Sequence, residues 1–73
     1  MGQEPILIKF GAIAKEARLA KGLTQLELAD KFGSAEATIS RLEKGRLNPS
    51  LLWILKFADA LEIEPSKLLD KLK

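Results

Sequence analysis

Apolar positions recur at intervals of three and four residues in five segments of the chain, the spacing of helices that each bury one stripe. Pro5, tolerated in a first helical turn, opens a segment from about Ile6 to Lys21, with Gly22 as its stop. Phe10, Ala14 and Ala17 form its inward stripe, and the small alanines allow close approach by a neighbouring helix. Two shorter patterns follow between Thr24 and Gly45. Ser50, just after Pro49, can cap a fourth helix to about Leu61, in which Leu51, Ile54, Leu55, Ala58 and Leu61 share a face with Phe57 at its margin. Leu52 and Trp53 fall away from that stripe, an apolar pair where a solvated helix would carry charge. Glu64-Pro65 starts a last short helix whose Leu68, Leu69 and Leu72 cover the open end of the core. Five helices with short connections predict an all-α bundle, a single domain over residues 1–73.

The stretch from Thr24 to Gly45 carries the strongest local signals. Thr24 with Glu27 three residues on has the spacing of a capping box, and Leu23 with Leu28 can close a hydrophobic staple across the same start. Leu28, Ala29 and Phe32 give an apolar stripe, and Gly33, free to take a positive φ, ends the helix. A new helix begins almost at once, with Ala35, Ile39 and Leu42 as its buried stripe and Ala37, Ser40, Arg41 and Lys44 on the wet side. Two helices at a steep angle around a glycine turn, the second with a polar outer face, predict a helix-turn-helix over about 24–45.

Composition narrows the function. The chain of 73 residues is 47% apolar and 30% charged, enough for a modest core. It contains no cysteine and no histidine, which removes disulfides, thiolate or imidazole metal sites and Ser-His or Cys nucleophiles. The acidic residues are scattered singly among lysines and arginines, so an enzyme is not expected, nor a cofactor or metal. The apolar run Ile6 to Ile8 is far too short for a secretory or membrane segment, which makes the cytosol the expected location. A net charge of +2 is a weak argument for a nucleic-acid partner. Its distribution says more, because Lys31, Arg41, Lys44, Arg46 and Lys56 are opposed within their stretch only by Glu36 and Glu43.

From Phe10 nearly to Leu69 the chain resembles the Xre-like helix-turn-helix family, which includes the lambdoid phage repressors and Cro proteins. The resemblance is carried by R-L-A-K-G-L-T-Q at Arg18 to Gln25, L-A-D-K-F-G at Leu28 to Gly33, T-I-S-R-L-E-K-G at Thr38 to Gly45 and N-P-S at Asn48 to Ser50. It implies a compact five-helix, lambda-repressor-like domain that binds double-stranded DNA in pairs, usually as a transcriptional regulator. Gln25 matches the family position that reaches a DNA phosphate from the start of helix two; as a plain residue it is equally a solvated glutamine. Glu36, Ala37, Thr38 and Arg41 match the base-facing or groove-lining positions of helix three. Arg41 can bond guanine bidentately or sit in an exposed salt bridge, and Glu36 can accept from cytosine or simply favour the helix dipole. Lys44, Arg46 and Asn48 fall where the family grips the DNA backbone, while Arg18 and Glu43 match a partly buried ion pair that does not touch DNA. One departure bears on helix three: the family usually has an aliphatic residue after the turn glycine and then Ser or Thr, whereas Ser34 and Ala35 stand in the opposite order, leaving either as the cap. Ile13 and Leu26 also occupy positions that are commonly polar in the family.

One recognition helix touches few base pairs, so useful specificity calls for two copies on half-sites about 34 Å apart. Leu52 and Trp53, with Leu72 nearby, are the candidate homodimer surface; Trp53 can equally cap the core edge. Within the family the chain looks like a small phage Cro-type regulator or a restriction-modification controller, with an antitoxin also open. An adaptor that keeps the fold and docks on another protein is the competing class.

Overall fold

The computed structural model describes residues 4–73. Five helices follow in order: α1 (Pro5–Ala20), α2 (Gln25–Phe32), α3 (Glu36–Glu43), α4 (Leu51–Ala60) and α5 (Pro65–Asp70). Local chemistry sets their ends. Pro5 stands in the first turn of α1, and the chain leaves that helix through Lys21 and Gly22, whose φ is +71°. Thr24 Oγ1 accepts from the Glu27 backbone N–H at 3.0 Å and Glu27 Oε1 accepts from the Thr24 N–H at 2.8 Å, so both orphan donors of the α2 start are paired. Gly33 closes α2 in the left-handed region, and the Ser34 N–H returns to the Ala29 carbonyl at 2.9 Å.

The core is built from Phe10, Ile13, Ala14 and Ala17 of α1, Leu28 and Ala29 of α2, Ile39 and Leu42 of α3, Phe57 and Ala58 of α4, then Leu61 and Leu68. α3 lies between α1 and α2, while α4 packs on α2 and α5. Ile13 is therefore core, whereas Leu26 is exposed.

Three side-chain placements differ from the expected pattern. Ala35 is not in the buried stripe of α3: it is the exposed N-cap, with no side chain able to bond the helix start, and Ser34 does not take over that role. Ser40 is half-buried rather than fully wet. On α4 the buried arc is turned from the one expected: Trp53 and Ile54 are half-buried against Phe57, Ala58 and Leu61, while Leu51, Leu52 and Leu55 are 65%, 60% and 41% exposed. Aromatic packing accounts for the rotation. Trp53 stacks on Phe57 at 5.2 Å between ring centroids and meets Phe32 edge-on at 4.7 Å, so α4 turns its rings toward α2 and leaves leucines outside.

Candidate nucleic-acid interface

α3 holds itself against the rest of the domain by one face only. Ile39 and Leu42 are fully buried, and the far side carries Glu36, Ala37, Arg41 and Lys44, all exposed, with Thr38 half-buried at the margin. The helix then ends at Lys44 and turns through Gly45 at φ +75°, with the Arg46 N–H bonded to the Arg41 carbonyl at 2.9 Å. That turn sends Arg46 and Asn48 outward, both exposed, on the same end of the helix as Lys44. Among the described residues none of Arg41, Lys44 and Arg46 has a carboxylate within 4.0 Å. Glu43, the other acid of the helix, is neutralised from behind, so the outer face of α3 and its loop sets three bases against Glu36 alone.

The structure brings Arg18, Glu43 and Gln25 together from three helices. Arg18 Nε donates to Glu43 Oε2 at 2.7 Å and Nη2 donates to Oε1 at 3.1 Å, a two-pronged pair, while Nη1 donates to the Leu23 carbonyl at 2.7 Å. The side chains are 8% and 3% exposed. Hydrogen bonding to Glu43 raises the Arg18 pKa above its ordinary value; burial opposes the shift and the charge of Glu43 adds to it. Gln25 Nε2 donates to Glu43 Oε1 at 3.0 Å, so the carboxylate accepts three bonds. Gln25 is thus half-buried at the α2 start and committed by one N–H to Glu43, a link across 18 residues with no local sequence signal.

Close backbone approach brings α3 to this position. A Cβ at Gly11 would run into the carbonyl oxygens of Leu42 and Glu43, the second at 2.8 Å, and a Cβ at Gly45 would sit 2.8 Å from Ile8 Cα. Neither glycine figured as a site residue in the sequence; the signal for Gly11 was a glycine placed inside a helical pattern, where alanine would otherwise be favoured.

Trp53 and Leu72 are half-buried rather than fully exposed. Trp53 belongs to the aromatic cluster, and Leu72 is half-buried beside Ile6, Leu7, Phe10, Ile54 and Leu69 around a cavity of about 190 Å³. Leu52 alone of the three candidates is open, and it shares the outer side of α4 with Leu51 and Leu55. Among the described residues no group of three or more acidic side chains could hold a metal ion, and no helix is long and apolar enough to cross a membrane.

A two-helix unit with a buried inner stripe, a basic outer face and a braced turn defines a helix-turn-helix DNA-binding domain. Residues 15–68 match the helix-turn-helix family, and the chain belongs to it, as a transcriptional regulator of the Xre type. It is 47% identical over 49 residues to an uncharacterized HTH-type transcriptional regulator of Methanothermobacter thermautotrophicus, a match covering 67% of this chain and 71% of the relative. Among solved structures it is similar to the restriction-modification controller protein C.AhdI from Aeromonas hydrophila, with a TM-score of 0.81 and 47% identity, covering 85% of this chain and 94% of that one. The clp gene regulator ClgR from Corynebacterium glutamicum superposes with a TM-score of 0.89 at 25% identity, covering 97% of this chain and 91% of that one.

Proposed function

We propose that the protein is a homodimeric regulator that reads a two-fold symmetric operator with α3 in the major groove, of the restriction-modification controller kind. The observation that carries this is the outer face of α3, where Arg41, Lys44 and Arg46 are exposed without an acidic partner among the described residues. Arg41 takes guanine O6 and N7, Glu36 a cytosine amine, and the methyl groups of Ala37 and Thr38 meet thymine. Gln25, Lys44, Arg46 and Asn48 hold phosphates and supply the salt-dependent share of the affinity. The likeness to C.AhdI over most of both chains supports the controller kind over a Cro-type regulator.

The paired copy is met through α4. Leu51, Leu52 and Leu55 present contiguous apolar surface there, and a two-fold interface uses such a patch twice. The test is selection of bound duplexes from a randomised DNA library, with the Arg41→Ala protein in parallel. A symmetric motif whose preference relaxes at one symmetric position in the variant is the expected result. No enriched motif, or the same motif from both proteins, overturns the assignment and favours an adaptor that docks on protein instead.

A further inference from the structure

Glu43 points away from the DNA-facing surface, with its side chain 3% exposed, yet its bonding pattern reaches that surface through Gln25. A carboxylate only accepts hydrogen bonds, whereas a glutamine amide has a donating and an accepting side that are otherwise free to exchange. The 3.0 Å bond from Gln25 Nε2 to Glu43 Oε1 therefore decides which way the amide faces. We propose that Glu43 is a positioning residue for DNA binding: it holds the Gln25 amide in one orientation, so that the start of α2 meets a phosphate with an ordered donor. The inference rests on the phosphate contact proposed above for Gln25.

The brace is closed on both sides. Glu43 is clamped by Arg18 Nε and Nη2, and the third arm of the same guanidinium, Nη1, holds the Leu23 carbonyl, two residues before Gln25. One buried cation thus fixes both the carboxylate that orients Gln25 and the backbone that delivers it. The second N–H of Gln25 Nε2 is left over for an acceptor, beside the capped and positive end of α2. Unheld, the amide would spend part of its time with its oxygen toward the phosphate and would lose rotamer freedom on binding. Glutamine at position 43 cannot replace the carboxylate, because its single carbonyl oxygen cannot serve the two Arg18 nitrogens and Gln25 together.

The test compares wild type, Gln25→Ala, Glu43→Gln and the double variant for affinity to a mixed-sequence DNA duplex across a range of salt. Circular dichroism confirms that each is folded at the assay temperature. Gln25→Ala is expected to weaken binding about three- to tenfold, the range of one hydrogen bond. Glu43→Gln is expected to weaken it comparably, and the double variant to bind within about twofold of Gln25→Ala. If Gln25→Ala binds like wild type, the phosphate contact itself falls and the positioning role with it. If Gln25→Ala weakens binding but folded Glu43→Gln does not, or the two losses multiply, the contact stands and the positioning role is overturned. Relaxation of the Gln25 side-chain amide by NMR in the free wild-type protein gives a reading that survives unfolding of any variant. An amide as ordered as the backbone is expected, and a freely rotating one overturns the proposal.

Discussion

Replacing Glu43 by alanine removes the acceptor of three hydrogen bonds, two from Arg18 and one from Gln25, and leaves a guanidinium, on a side chain that is 8% exposed, with only the Leu23 carbonyl. Breaking a buried pair from one side costs about 3–5 kcal/mol, because the remaining charge stays desolvated. A chain of 73 residues is expected to be stable by roughly 4–11 kcal/mol in all, so this one substitution removes about a quarter of it or more. At about 4–8 °C per kcal/mol for a domain of this size, the melting temperature should fall by roughly 12–40 °C. Lys44 is the neighbour in sequence but exposed and unpaired among the described residues, so Lys44→Ala should stay within about 0.5 kcal/mol of wild type. Thermal unfolding followed by far-UV circular dichroism measures both. Trp53 emission provides a second probe, from the aromatic cluster of α2 and α4, and coincident transitions license the two-state comparison. Since the Arg18 pKa is raised on folding, its contribution is full from neutral pH up to the ordinary arginine value and is lost on the alkaline side only as pH rises through the folded one. The contrast between Glu43→Ala and Lys44→Ala should therefore persist at mildly alkaline pH. Equal, small losses from the two variants would refute the view that the pair is a buried brace.

Gly11→Ala should destabilise by about 1–3 kcal/mol in urea unfolding despite alanine's better helix propensity, since the new methyl meets the backbone oxygens of Leu42 and Glu43; a stabilised variant would contradict the close approach of α1 and α3. Glu62 sits just past α4 with φ +58°, so Glu62→Gly should raise stability by about 0.5–1 kcal/mol, and a loss would show that its 3.5 Å contact with Lys31 outweighs the backbone strain. The Leu52→Glu, Leu55→Glu double variant should sediment as a monomer while keeping its helical circular dichroism, whereas Trp53→Ala should lower stability by about 2–3 kcal/mol through loss of the aromatic cluster. Unchanged sedimentation of the leucine variant would remove α4 as the dimer surface.

The chain alone determined what nearest neighbours decide. The capping box of Thr24 and Glu27, the stop at Gly33 and the proline starts of α1 and α5 are interactions within four residues, and each is legible because its energy is local. The helical period likewise assigned Phe10, Leu28, Ile39, Leu42 and Leu68 to the core. Tertiary structure decided the rest. α4 is apolar around most of its circumference, so periodicity could not say which arc turns inward; packing of Trp53 and Phe57 against Phe32 did, which left Trp53 half-buried at the core edge and exposed Leu51 and Leu55. Ala35 looked like part of a stripe until the turn at Gly33 made it the cap of α3. The pairing of Arg18 with Glu43 spans 25 residues, and the pattern of the chain carries no rule for it; only resemblance to a family pointed there. The attachment of Gln25 to that pair, and the need for glycine at position 11, depend on how closely three helices approach. Those distances come from side-chain packing across the core, which no local sequence rule specifies.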